Sequence, residues 1–194
     1  MGDLRELLAG GTFRVLLHFL LHPEQRLHFR ALQEATGLGT GALQREVARF
    51  EALRLVTRTE EGGRVYYQPA ADHPSWGAFR TLVRQHADPA EVVKAALRDV
   101  PGIHAAFVFG SSVRGTARAD SDVDVLIVEE GMPLAAIGRA TRAAQSLLQR
   151  AIDIKRYTPA SLAERLERGS RFLREALDGP KTWLIGSEDA LAAR

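Results

Sequence analysis

The fold of the C-terminal half is decided by residues 103–128, which read IHAAFVFGSSVRGTARADSDVDVLIV. The segment Ile103–Phe109 is apolar and β-prone and has a glycine at either end, so we predict a buried strand. A second predicted strand opens with Asp122 and Asp124. Because successive side chains of a strand point to opposite faces, these two carboxylates lie on the same face.

Paired carboxylates in this position indicate a bound cation. Two like charges side by side are unfavourable in a folded protein unless a cation neutralises them. Mg²⁺ prefers oxygen ligands and is commonly held by carboxylates together with substrate phosphates. The loop after the first strand suits phosphate, since Gly110 lets the backbone approach closely and Ser111 adds a hydroxyl. A helix predicted to follow this loop offers free N–H groups. The arrangement therefore predicts a metal-bound nucleoside triphosphate.

The motif Gly110-Ser111, followed after a short gap by Asp122-Val123-Asp124-Val125, resembles the nucleotidyltransferase superfamily of DNA polymerase beta. The longer run that extends to Val128 is most similar to the minimal nucleotidyltransferases (MNT) of that superfamily. In this family a third carboxylate comes from a later strand, and Asp153 in the segment AIDIKRY, residues 151–157, matches it. A helix predicted over residues 133–150 supplies a crossover connection between the two strands.

The resemblance implies a site and a reaction. The catalytic carboxylates, which also bind two Mg²⁺ or Mn²⁺ ions, would be Asp122, Asp124 and Asp153. The nucleotide, ATP or another nucleoside triphosphate, would be held by Gly110, Ser111, Ser112, Arg114 and Ser121. Arg114 either binds phosphate or forms an ion pair with Asp120 or Asp122. The reaction would transfer a nucleoside monophosphate to a hydroxyl and release pyrophosphate, with Asp153 assisting deprotonation of that hydroxyl.

The N-terminal half has the element order of a winged helix-turn-helix. Apolar periodicity predicts three helices, Thr12–Leu21, Arg30–Ala35 and Thr40–Leu53, and a hairpin of Leu55–Thr59 with Arg64–Gln68. Gly37 is the predicted stop of the second helix, and a Gly-Gly turn joins the two strands. Residues 31–56 resemble the ArsR/MarR-type winged-helix repressors, which implies binding to double-stranded DNA.

The predicted DNA contacts lie off the apolar stripe of the third helix and on the hairpin. The helix would face the major groove with Thr40, Gln44, Arg45 and Arg49. On the hairpin, Arg58 and Arg64 would contact backbone phosphates. Glu60 and Glu61 at the hairpin tip oppose DNA binding, because they repel the duplex. Dimerisation or protein docking through the same fold stays open as the alternative.

Composition limits the function classes. The chain has 194 residues and no cysteine, which excludes disulfide scaffolds, thiol catalysis and cysteine-bound zinc. A net charge of +2 is no argument for nucleic-acid binding. No apolar run reaches the roughly 20 residues that a membrane helix needs, so we expect a cytoplasmic protein that does not bind membranes.

The predicted architecture is an α+β protein of three parts. Residues 1–70 form the winged helix-turn-helix domain, 71–100 a helical linker, and 101–194 a polymerase-beta-like α/β nucleotidyltransferase domain with a small mixed sheet. In the last part, the amphipathic segment Ser161–Leu177 is expected to cover the sheet and Thr182–Ile185 to add an edge strand.

The leading functional prediction is an Mg²⁺-dependent nucleotidyltransferase coupled to a DNA-binding transcriptional regulator. MNT relatives include antitoxins that modify a HEPN toxin, so the resemblance implies a protein acceptor of that kind. One alternative is a DNA-binding regulator whose nucleotidyl domain only senses nucleotide. Another is an antitoxin-like protein whose two halves dock in a toxin–antitoxin complex. Winged-helix repressors usually dimerise, so a homodimer is also predicted.

Overall fold

The computed structural model describes residues 10–113, 121–130 and 134–192. The chain divides into two compact units, Met1–Asp88 and Pro89–Arg194. The division falls inside residues 71–100, the predicted linker, so the two helices of that stretch lie in different units. Among the residues described, no helix is both long enough and apolar enough to cross a membrane.

The first unit combines four helices with a small antiparallel sheet in its described part. Its elements are α1 (Gly10–Leu21), β1 (Leu27–His28), α2 (Phe29–Thr36), α3 (Thr40–Ala52), β2 (Val56–Glu61), β3 (Arg64–Pro69) and α4 (Ser75–His86). The strand order is β1-β3-β2. The three predicted helices and the predicted hairpin are present within a few residues of their expected ends.

The helices of this unit pack through the stripe that the sequence predicts. Leu43, Val47 and Phe50 of α3 are all buried, and the ring of Phe50 lies 6.2 Å from that of Phe19 in α1. The predicted stop at Gly37 is confirmed, since this residue caps α2 in the left-handed region.

The hairpin is closed by a two-residue turn. Gly62 and Gly63 both have positive φ, 58° and 71°, which is the backbone of a type I′ turn. The strand β1 was not predicted. Its two residues pair with Tyr66 and Tyr67 of β3, and a strand this short has no alternation that sequence reasoning could detect.

The second unit is built on a four-stranded mixed sheet. Its elements are α5 (Pro89–Leu97), β4 (Ile103–Phe109), a 3₁₀ turn (Gly110–Ser112), β5 (Val123–Glu129), α6 (Leu134–Leu148), β6 (Ile152–Tyr157), α7 (Pro159–Glu167), α8 (Arg171–Asp178), β7 (Thr182–Ile185) and α9 (Glu188–Ala192). The strand order is β6-β5-β4-β7. β5 and β6 are parallel, whereas β4 is antiparallel to both β5 and β7.

The two faces of this sheet carry different helices. On one face, Phe107 and Leu126 pack with Leu162 of α7 and Leu173 of α8 in a buried apolar cluster. On the opposite face α6 lies beside β6, where Ile137 borders the same small cavity as Ile152 and Ile154. Helix α6 thus makes the crossover connection between the parallel strands β5 and β6, as the sequence predicts.

The predicted amphipathic segment Ser161–Leu177 is two helices rather than one. The chain turns at Gly169, whose φ of 80° lies in the left-handed region, and Ser170 caps the new helix by accepting a hydrogen bond from the Leu173 amide. This break lets both Leu162 and Leu173 reach the sheet.

Candidate functional site

Two of the predicted carboxylates lie side by side at one end of the second sheet. Asp124 on β5 and Asp153 on β6 are Cα partners in the parallel register, so their side chains share a face. On its other side Asp124 pairs with Phe109, the last residue of β4. The shared face is that of the α7–α8 cluster, because Leu126, two residues after Asp124, belongs to the cluster. Asp122 is the residue directly before the first residue of β5.

Gly110 lies directly against the carboxylate of Asp124. Its φ is 77°, and a Cβ added at this position would lie 2.5 Å from Oδ2 and 3.3 Å from Cγ of Asp124. Only glycine combines this backbone conformation with this clearance. The sequence predicts that Gly110 allows close approach of a phosphate, and in the structure the glycine also makes room for a carboxylate.

The 3₁₀ turn is tied to the segment that opens β5. The hydroxyl of Ser112 donates to the backbone carbonyl of Asp122 at 3.3 Å, and both Ser111 and Ser112 are partly buried. Arg114 and the body of the helix predicted after the turn lie outside the described residues. Among the nucleotide-binding residues predicted from sequence, Gly110, Ser111 and Ser112 therefore form one continuous turn next to Asp124.

Arg150 positions this end of β5, and sequence reasoning missed it. Its guanidinium donates two hydrogen bonds to the backbone carbonyl of Ser121, from Nε at 2.7 Å and from Nη2. Ser121, a predicted nucleotide-binding residue, is thereby held through its backbone next to Asp122. An arginine just after a helix has no sequence signal that separates this role from an ordinary cation at a helix C-terminus.

The carboxylates repel one another. The pKa of Asp124 is raised above its usual range, first by burial and then by the charges of Asp153 and Asp122. Lys155 opposes that shift, and its Nζ lies 2.9 Å from Oδ2 of Asp153. The same contact raises the pKa of the Lys155 ammonium through its hydrogen bond to Asp153.

The residues present fit a divalent cation. The oxygens of Asp124 and Asp153 come from adjacent strands on one face, and Asp153 is open to solvent with a side-chain exposure of 47%. Hard oxygen donors whose charges repel are the ligand set that Mg²⁺ prefers, and they leave room for water and phosphate ligands.

The predicted DNA contacts on α3 are exposed, but they differ in their partners. Thr40, Gln44, Arg45 and Arg49 all lie on the surface. Arg49 is engaged within its own unit, since its guanidinium donates to the hydroxyl of Thr12 at 3.1 Å and pairs with Glu46 at 3.4 Å. Arg45, the other arginine of α3, takes no part in these contacts.

The acidic tip of the hairpin is balanced by arginines. Arg26 pairs with Glu61 at 2.8 Å, and its guanidinium stacks 4.2 Å from the centre of the Tyr66 ring. Arg58 lies 3.8 Å from Glu60, so this predicted phosphate contact also neutralises an acid. Arg64, the other predicted phosphate contact on the hairpin, is exposed. The repulsion that the sequence argument attributed to Glu60 and Glu61 is thus reduced within the hairpin itself.

One comparison with known proteins, the match to a family model, points to the same part of the chain. The sequence has no significant match among curated proteins. One solved structure, described as a crystal structure of a toxin–antitoxin with AMP-PNP, is similar with a TM-score of 0.37 and 20% identity, covering 54% of this chain and 77% of that chain. A TM-score this low does not establish a common fold. The family model of the nucleotidyltransferase domain matches residues 90–177, which include every predicted carboxylate and the turn at Gly110. Over those residues the chain therefore carries a nucleotidyltransferase domain.

Proposed function

We propose that the second unit is a Mg²⁺- or Mn²⁺-dependent nucleotidyltransferase that uses ATP or another nucleoside triphosphate. The observation that carries this proposal is the register of Asp124 beside Asp153, with Gly110 packed against the Asp124 carboxylate. This arrangement brings two carboxylates and a turn that opens with glycine to the same sheet end, which supports binding of a cation together with phosphate. The match to the nucleotidyltransferase domain over residues 90–177 supports it.

The reaction is an in-line displacement at the α-phosphorus. A hydroxyl oxygen of the acceptor forms the new bond to that phosphorus while the bond to the β-phosphate oxygen breaks, and pyrophosphate leaves. The turn Gly110–Ser112 orients the triphosphate, and Asp153 accepts the hydroxyl proton. A divalent cation held by Asp122, Asp124 and Asp153 would supply charge stabilisation at the attacking and leaving oxygens. Lys155, which pairs with Asp153, can instead pair its ammonium group with a phosphate oxygen when the carboxylate is engaged elsewhere.

A label-transfer assay tests the proposal. The full chain is incubated with each α-³²P nucleoside triphosphate, Mg²⁺ or Mn²⁺, and extract from the source cells. We expect a labelled product with the wild type. With the Asp122→Ala/Asp124→Ala variant the signal should be weaker by about 1,000-fold or more. Asp178→Ala, which removes an exposed acid at the end of α8, is the matched control and keeps the signal.

The product identifies the acceptor. We propose a hydroxyl of a partner protein such as a HEPN toxin, for which a labelled protein band of fixed size is the expected result. Label on nucleic acid or on a small molecule would contradict a protein acceptor and would identify the labelled molecule as the acceptor. Bound triphosphate without any transfer would contradict the enzymatic proposal and favour a regulator that senses nucleotide.

We also propose that the first unit is a winged helix-turn-helix that binds double-stranded DNA. The element order α1-β1-α2-α3-β2-β3, the exposed polar side of α3 and the charge-balanced hairpin tip support this. Arg45 is the arginine of α3 whose contact with DNA is the most direct test of this proposal, because Arg49 already has partners within the unit.

The DNA proposal is tested by the salt dependence of binding to a fluorescent duplex of mixed sequence. Replacing Arg45 by alanine should weaken binding and lower the slope of log affinity against log salt by about 1, the effect of one lost phosphate contact. Arg84→Ala, which removes an exposed arginine of α4, should leave the slope unchanged. Equal losses in both variants would mean that binding follows net charge and not α3.

A further inference from the structure

An exposed aromatic side chain stands beside the candidate active site. Phe172, in the first turn of α8, is 40% exposed, and it is the large hydrophobic residue that the described part of the second unit leaves open to solvent. Its ring meets that of Phe109 edge-on, with the centroids 5.7 Å apart. Phe109 directly precedes Gly110 and pairs with Asp124.

The backbone that carries this ring is anchored although the ring is exposed. The next residue, Leu173, is fully buried in the apolar cluster, and its amide donates to the Ser170 hydroxyl that caps α8. A fixed aromatic surface loses little conformational freedom when a ligand stacks on it. The position of Phe172 is therefore set by the core and not by a loop.

Two arginines close to Phe172 in the chain are paired with acids, which leaves room for the uncharged part of a ligand. Arg171 pairs with Glu175 at 2.7 Å, and Arg168 pairs with Glu164 at 2.7 Å. The residues of the proposed triphosphate site, Gly110 and Asp124, are the chain neighbour and the strand partner of Phe109. The Phe172 ring, which contacts Phe109, is thus an aromatic surface close to that site, and a base lies only one sugar away from the phosphates of its nucleotide.

We propose that Phe172 is the stacking platform for the nucleobase of the substrate triphosphate, with the ring of Phe109 packed edge-on against it. This inference rests on the proposed function, because it assumes that the triphosphate lies at Gly110 and Asp124. Stacking on a phenyl ring accepts every base, since each has a π-face. Phe172 therefore contributes affinity for nucleotides as a class and not a choice among the bases.

The test measures binding of two probes to the full chain in the presence of Mg²⁺: ATP and inorganic tripolyphosphate. Phe172→Ala should weaken ATP binding by roughly 10- to 100-fold and leave tripolyphosphate binding unchanged. Phe172→Trp should retain ATP binding, and ATP should quench its added indole fluorescence. Leu53→Ala removes the other large hydrophobic side chain that is exposed among the described residues and should change neither affinity.

Each other outcome overturns the platform in a distinguishable way. Unchanged ATP affinity in Phe172→Ala, with tripolyphosphate still bound, removes the platform and leaves the proposed function intact. Equal loss of both probes means that Phe172 supports the fold of the site and does not stack on a base. Absence of binding by both probes in the wild type removes the proposed function, and the platform with it.

Discussion

Asp124→Asn should lower the rate of nucleotide transfer by at least about 1,000-fold while the protein stays folded. Asparagine has the same shape as aspartate but one oxygen fewer and no charge, so it is a poor ligand for a hard divalent cation. Asp124 is the central carboxylate, since it pairs with Asp153 on one side and lies against Gly110 on the other. The rate is measured with the labelled product of the wild-type reaction.

The same variant should separate catalysis from stability. In metal-free buffer the Asp124 carboxylate is partly buried and faces the charges of Asp153 and Asp122, so its removal relieves repulsion. We expect Asp124→Asn to melt at or above the wild-type temperature. Added Mn²⁺ should then stabilise the wild type by mass action and have little effect on the variant.

A matched substitution controls this comparison. Asp178→Asn changes an exposed acid outside the carboxylate cluster, and it should keep both the transfer rate and the response to Mn²⁺. A wild-type melting temperature that ignores Mn²⁺, together with a lower melting temperature for Asp124→Asn, would show that the carboxylate has a structural partner instead of a cation.

Gly110→Ala should have the second large effect, on both stability and transfer. A residue other than glycine in the left-handed region lowers the folding stability by about 1–3 kcal/mol. In addition, the new Cβ would lie 2.5 Å from Oδ2 of Asp124. The carboxylate must move, and misplacing a catalytic group by about 1 Å is enough to cost roughly 100-fold in rate. We expect a lower unfolding midpoint in urea and a transfer rate reduced at least to that extent.

Gly169→Ala isolates the backbone part of this effect. Gly169 has a φ of 80°, and a Cβ there would meet only the flexible guanidinium of Arg174, at 3.7 Å. This variant should lose a similar amount of stability and keep most of its transfer activity. If both variants remain equally active, the close approach of Gly110 to Asp124 has no catalytic importance.

The strands of the second sheet could be predicted because each is either a mainly apolar run or an alternation of apolar and polar residues, with clear limits. β4, β5 and β6 begin and end within a residue or two of their predicted positions. The predicted edge strand Thr182–Ile185 is also present as β7. Hydrophobic patterning is local in sequence, so it reports strand position directly.

The contacts that shape the site could not be predicted, because they join distant segments. The hydrogen bonds from Arg150 to the Ser121 carbonyl cross 29 positions of sequence, and the contact of Phe172 with Phe109 depends on where α8 packs. The break at Gly169 was also missed, since an amphipathic pattern continues across it with only a small change of phase. The roles of the individual site residues stay predictions.

The two carboxylates share a face of the sheet only because β6 pairs with β5 in one particular parallel register. Side chains alternate along β6, so Asp153 and Lys155 lie on the face of Asp124, while Ile152 and Ile154 lie on the α6 face. A slip of one residue in the pairing of β6 with β5 would exchange these two sets and bury an aspartate and a lysine among apolar groups. A slip of two residues would return both side chains to the face of Asp124, but Asp153 would no longer lie opposite Asp124. The carboxylate pair therefore requires this one register.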